Sequence, residues 1–282
     1  QLDDIINRLY NSLYGMGVVV APHVLKEAPV SAIHYSKNIV LTDYSTPYNI
    51  LKELSKINLN QKLDLNQTDF RNEGHSLRFR ANSFEISLYD KRKDLQKAKI
   101  SEKRAIEKDN TIQFELFDQW KPKKPFEVLR IEIRLGQRRK IKQVLEKIHV
   151  VNNLTFSSLF KEAISHKVLS LYFADIKNGY AILSYSQKSH TQLISDIKIF
   201  NPKIKIRKML QLFASIVLID DMGIRGFREA TKMYGPHHWN RLKNDLSFYN
   251  FPEEIFSPIR VIEQSLKDFK LLRLKDFLLN NA

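Results

Sequence analysis

The chain has 282 residues, 43% of them hydrophobic and 11% aromatic, enough for one large domain or two small ones with a sizeable core. Lys and Arg total 46 against 31 Asp and Glu, a net charge of +15 that favours a polyanionic partner, because each neutralised phosphate releases condensed counterions; a membrane surface would suit that charge equally well. The absence of cysteine excludes disulfides and thiolate metal sites and fits a cytosolic protein, while no apolar run approaches the ~18 residues of a spanning helix and no signal peptide or anchoring motif is visible.

Leu2, Ile5, Ile6, Leu9, Tyr10 and Leu13 have helical spacing, and the helix they predict should end near Gly15 or Gly17. Ser31–Leu41 reads as extended. Residues 46 to 56 predict a short helix opened by Thr46-Pro47. The polar, Asn-rich residues 57 to 73 read as loop. Residues 75 to 89 hold two extended stretches around Ala81-Asn82-Ser83, a hairpin, and residues 90 to 109 a charged helix. Residues 110 to 126, ending in Lys121-Pro122-Lys123-Lys124-Pro125, read as an insertion or linker. Val128–Leu135 is a predicted strand and Gln137–Ile148 a basic amphipathic helix. Beyond about residue 150 the texture turns helical, over 154–173, 189–200, 205–219, 224–234 and 237–249, with a last pair from 252. A short strand is expected within 178–188, and Trp239 is expected in the core. The expected class is α+β: an antiparallel-sheet domain with packed helices over 1–150, then a mostly α-helical one over 151–282. No phosphate-cradling Gly-rich loop appears, which argues against intrinsic ATPase or helicase activity.

Three strands alternate. Side chains on a strand point to opposite faces with period two. Ile33, Tyr35, Ile39 and Leu41 share one face of the first, and His34, Ser36 and Asn38 the other. Phe84, Ile86 and Leu88 oppose Glu85, Ser87 and Tyr89, and Leu129, Ile131, Ile133 and Leu135 oppose Arg130, Glu132 and Arg134. If these strands share a sheet, its polar side displays a histidine, carboxylates, a tyrosine and arginines together. Those are parts for phosphodiester transfer: His and Glu to hold a divalent cation, a tyrosine hydroxyl to attack phosphorus, arginines to fork onto phosphate oxygens. The same pattern is also what an ordinary antiparallel sheet with one solvated face gives, with Glu132 in a cross-strand ion-pair ladder.

The run His75-Ser-Leu-Arg78-Phe-Arg80-Ala-Asn-Ser-Phe-Glu-Ile-Ser-Leu-Tyr89-Asp90-Lys91 resembles the nucleophile region of the filamentous-phage replication initiators and of the related plasmid rolling-circle initiators. In those families a strand ending in Tyr-x-Lys runs into a charged helix. Val128-Leu-Arg-Ile-Glu-Ile-Arg-Leu135, followed by a basic helix, is similar to their Arg-x-Glu-x-Arg strand, and Gly226–Lys243 to a helical segment nearer their C-terminal end. The blocks stand in the family's order over about residues 31 to 250. The family belongs to the HUH-like tyrosine endonucleases, named for a His-hydrophobic-His metal strand. Here the corresponding strand, Ala32-Ile-His34-Tyr-Ser36, has one histidine and a serine in place of the second.

The resemblance implies a nicking-rejoining initiator of rolling-circle replication. Tyr89 would be the nucleophile and Lys91 its neighbouring cation. Mg²⁺ or Mn²⁺ would be held by His34 and Glu132, with His75 a further candidate ligand. Arg78, Arg80, Arg130, Arg134, Arg138, Arg139 and Lys140 would hold DNA. The partners implied are single-stranded or hairpin origin DNA and the host replication machinery, with no membrane, in the cytoplasm of a bacterial host. The alternatives are a relaxase of a mobilisable element and a non-catalytic DNA-binding replication protein. Tyr35, Tyr44 and Tyr48 are the other tyrosines that stand as nucleophile if Tyr89 does not.

Overall fold

The structure, a computed structural model, describes residues 2–41, 45–57, 69–71, 74–100, 127–150, 153–180, 189–249 and 258–270. The proposed linker at 110–126, most of the expected strand at 178–188, Tyr44, the side chain of Trp239 and the chain beyond 270 lie outside the described residues.

The class is α+β. Five strands, β1 (Ile33–Leu41), β2 (Asp69–Arg71), β3 (Ser76–Ala81), β4 (Phe84–Asp90) and β5 (Glu127–Leu135), form one sheet in the order β1-β5-β4-β3-β2, every neighbouring pair antiparallel. β3 and β4 are the expected hairpin, closed by the two residues Asn82 and Ser83, and Ser83 also accepts the Gly136 amide at 2.9 Å to fix the end of β5. The short strand β2 lies where the sequence reads as polar loop. Three residues without alternation carry too little pattern to announce a strand; pairing with β3 makes it one.

Helices α1 (Leu2–Gly15), α3 (Pro47–Ser55), α4 (Lys91–Ile100) and α5 (Arg138–Lys147) sit at or within the expected segments. α3 starts where Thr46 accepts the Asn49 amide at 3.3 Å and Pro47 takes the first helical position, where no N–H is needed. The one-turn α2 (Pro22–Lys26) was not legible in the pattern. After residue 150 come α6 (Phe156–Leu159), α7 (Glu162–Tyr180), α8 (His190–Phe200), α9 (Ile206–Ala230), a 3₁₀ turn at Lys232–Tyr234, α10 (Pro236–Phe248) and α11 (Pro258–Asp268). α9 is two helices meeting at Gly223, whose φ of 73° only glycine adopts without strain. A side chain there would also sit 3.4 Å from the Lys56 carbonyl oxygen, and that carbonyl accepts the Ile224 amide.

Leu77, Phe79, Ile86, Leu88, Leu129, Ile131, Ile133 and Leu135 line the apolar side of the sheet and are buried, as are Ile50, Leu51 and Leu54 of α3. The same hydrophobic cluster continues through Val168, Leu169, Tyr172 and Ile176 of α7 to Ile262 and Leu266 of α11. Phe84 meets Tyr172 at 5.1 Å between ring centroids. Among the described residues the hydrophobic cluster thus runs on past residue 150. Burial of this continuous apolar surface is the main favourable term holding α3, α7 and α11 to the sheet. No described helix is long and apolar enough to cross a membrane.

Candidate active site

The register lays the polar face out as three rows across four strands. His34, Arg134, Glu85 and Arg80 form one row; Ser36, Glu132, Ser87 and Arg78 the next; Asn38, Arg130, Tyr89 and Ser76 the third. The three alternating strands do share a sheet, and their polar positions converge. Glu132 stands in the middle row with a serine on either side. Those short neighbours leave room for longer side chains of adjacent rows to lean over it, diagonal neighbours being within reach of aromatic and long side chains.

Glu132 is the hub. Tyr89 donates its hydroxyl to Glu132 Oε2 at 2.8 Å. Arg134 Nε donates to Oε1 at 2.9 Å, and His34 Nδ1 lies 3.4 Å from that same oxygen. Arg130 Nε stands 3.6 Å from Oε2 while its Nη2 donates to Ser36 at 2.6 Å. A second carboxylate extends the network: Arg80 donates to Glu85 at 2.8 Å, Ser87 donates to Glu85 at 2.6 Å, and Arg134 Nη1 reaches it at 3.2 Å. Arg80, Arg130 and Arg134 thus contact the two glutamates, with Arg78 in the same row as Glu132, a local surplus of positive charge. Among the described residues, the buried Arg78 Nε and Arg130 Nε find no hydrogen-bond acceptor.

The electrostatics separate the two central groups. Burial pushes the Tyr89 hydroxyl well above its ordinary value, Arg130 offsets part of that rise, and Glu132 adds to it. Burial also pushes the Glu132 carboxyl up. Arg134, the Tyr89 hydroxyl and Arg130 outweigh burial and hold it below its ordinary value. Glu85 is lowered in the same way: burial opposes, while Ser87 and the three arginines 134, 78 and 80 prevail. At neutral pH a protonated phenol therefore rests on an ionised carboxylate, an arrangement in which the carboxylate can accept the phenol's proton.

The remaining expected residues divide. His75 is not part of this site. It precedes β3 on the parity of Leu77 and Phe79, so it belongs to the opposite side of the sheet. There its Nδ1 is 3.4 Å from Asp90 Oδ2, its Nε2 is 2.7 Å from Lys93 Nζ, and Tyr48 lies against its ring at 5.6 Å. Lys91 is buried at the start of α4, 3.5 Å from Asp94. Arg130 is a cation that bears on the phenol, and Arg134 interacts with it as well. Arg138 and Arg139 are exposed at the start of α5, and Lys140 lies over the Phe84 ring at 4.2 Å. Tyr35 faces the interior, where its hydroxyl donates to the Leu159 carbonyl at 3.1 Å.

A divalent cation would find two donors here, His34 and Glu132. With His75 on the other side of the sheet, no group of three His, Cys, Asp or Glu able to hold a metal occurs among the described residues. Both oxygens of Glu132 are already engaged by Tyr89 and Arg134. Among the described residues, these two donors alone do not complete a resident Mg²⁺ or Mn²⁺ site.

Two features escaped the sequence reading. Glu85 bridges Arg80 to Arg134, a pairing that follows from the register once β4 is set beside β5. A cavity of about 780 Å³ runs along the free edge of β1, its wall including His34 and Ser36 together with Phe156, Phe160, Lys37 and Lys161. It joins residues far apart in sequence, so no local motif announces it. Compared with models of known protein families, with curated proteins and with solved structures, the chain matches none.

Proposed function

We propose that this protein is a tyrosine DNA strand transferase, a rolling-circle replication initiator that nicks and rejoins single-stranded origin DNA. The observation that carries the reading is the Tyr89 hydroxyl donating to the Glu132 carboxylate at 2.8 Å inside a ring of arginines. A scissile phosphate enters beside Tyr89 and takes hydrogen bonds from the guanidinium groups of Arg130 and Arg78, which stand in the rows beside it. Glu132 accepts the phenol proton as the tyrosine oxygen attacks phosphorus. The new bond joins the 5′-phosphate to Tyr89. The bond to the 3′-oxygen breaks, and that oxygen leaves with a proton from solvent. The arginines offset the charge that builds on the phosphate oxygens in the transition state. Rejoining runs the same steps backwards and needs no ATP, because the phosphotyrosine link conserves the bond energy. The free 3′-hydroxyl is then available to a host polymerase. The β1-edge cavity, with phenylalanines and lysines in its wall, suits the strand flanking the cut.

The test is covalent capture of a labelled single strand carrying the cognate origin. Tyr89→Phe is expected to abolish the protease-sensitive adduct while DNA binding persists. An adduct that survives this change would move the nucleophile elsewhere. A non-catalytic, backbone-gripping face is the second reading, favoured by the closed Arg80–Glu85–Arg134–Glu132 ladder. It predicts retardation on a native gel and no adduct at all.

A further inference from the structure

Away from the sheet, the turn between α8 and α9 meets the end of α10 around a cavity of about 650 Å³. Three rings line it: Phe200, Phe248 and Tyr249. Phe248 is 79% exposed and Phe200 43%, and Phe248 stands edge-on to Tyr249 at 5.3 Å between centroids. Leaving a phenyl group in water forgoes the gain from burying it, so exposed rings grouped at a cavity point to an occupant.

The charges say which kind. Lys203, Lys205 and Lys208 share the cavity wall, and Arg207 is exposed on the same turn of α9. Asp245, the nearby acid, is bound by Lys208. No carboxylate pairs with Lys203 or Lys205 among the described residues. The turn carrying them is fixed: Ile204 donates its amide to the Asn201 carbonyl at 3.0 Å, and the Asn201 side chain donates to the Ile197 carbonyl at 3.1 Å. Rings for stacking, set beside Lys203 and Lys205, match a strand that presents bases on one side and phosphates on the other.

We infer that Phe200, Phe248 and Tyr249, with Lys203 and Lys205, form a second binding site for single-stranded nucleic acid, built wholly from the helical part of the chain. Bases stack on Phe248 and Phe200 while Lys203 and Lys205 hold the adjoining phosphates. The inference does not rest on chemistry at Tyr89. An initiator would use such a site to keep hold of a strand while its end is being transferred.

The test uses the full chain and a fluorescein-labelled oligothymidylate, read by anisotropy over a range of salt. Phe248→Ala and Phe200→Ala are each expected to weaken binding about tenfold, with the salt slope unchanged. Lys203→Ala and Lys205→Ala should each lower that slope by about 0.7. Phe248→Trp should retain binding and add tryptophan emission, relative to the parent chain, that the oligomer quenches. Because Phe248 is largely exposed, its removal should leave the circular dichroism spectrum and unfolding midpoint as they were. Parental affinity in the Phe200→Ala/Phe248→Ala double variant, with no quenching in Phe248→Trp, would overturn the inference. So would a mass that doubles with concentration and is halved by Phe248→Ala at unchanged oligomer affinity, which would make the patch an interface between copies. Tyr89→Phe serves as the independent control: it should lose the adduct and leave this site's affinity intact.

Discussion

At the scale of single residues, the proposal turns on opposite shifts in two groups that share a proton. Tyr89 stays protonated beyond the range of an ordinary phenol, so it cannot act as a free phenolate near neutrality and depends on Glu132. Glu132→Gln removes the base but keeps the shape. Adduct formation in that variant should slow by about 10²–10⁴-fold in single-turnover assays. The same shifts fix the pH profile. Glu132 ionises below the ordinary glutamate value, so the rate should rise with pH through that region and then level off. No second rise should appear as pH approaches 10, because the buried phenol has not begun to ionise. Stability follows a related rule. The folded state lowers the Glu132 and Glu85 carboxyls, so they stabilise it above the unfolded-state glutamate value, and that contribution is lost as pH falls through the folded-state values. Acid unfolding of Glu132→Gln should accordingly depend less steeply on pH than that of the parent chain. His34 was legible as a residue of the polar face, and the structure sets it beside Glu132. His75 stood as a further candidate ligand; counting back two by two from Phe79 through Leu77 puts it on the apolar side. With one imidazole and one engaged carboxylate, the free protein should show no saturable Mn²⁺ uptake by calorimetry, and His34→Ala should change nothing in that titration.

Elements explain why those residues meet at all. Alternation announced β1, β4 and β5, and the hairpin around Asn82 and Ser83 was readable because both flanking runs alternate. What sequence could not supply was strand order. That β5 inserts between β1 and β4, placing Glu132 level with both Ser36 and Ser87, depends on pairing across more than 40 residues of chain, which leaves no local trace. Periodicity did suggest one helix ending near 219 and another starting near 224; the structure joins them at a kink. Gly223 holds that kink in contact with the end of α3, where Lys56 reaches Asp220 at 2.5 Å and Glu53 at 3.2 Å. Gly223→Ala forces an unfavourable φ against a backbone carbonyl. It should cost about 1–2 kcal/mol, measured by denaturant unfolding at unchanged m-value. Thr46→Ala removes the cap of α3 and should cost about 1 kcal/mol in the same assay.

Across the whole molecule, a charge of +15 and one continuous core set the terms of binding. The charge predicts affinity for any single strand, falling steeply with salt, whether or not the strand carries an origin. Reaction at the sheet face makes the sharper claim, and one gel decides it. An origin strand labelled at its 3′ end, so that the label stays with the fragment joined through its 5′-phosphate, is incubated with the protein, denatured, and resolved with and without protease. The account predicts a slow band that protease collapses, present for the parent chain, faint for Glu132→Gln and missing for Tyr89→Phe. Equal bands for the parent and Tyr89→Phe, or none for any variant at concentrations where every strand is bound, would contradict it.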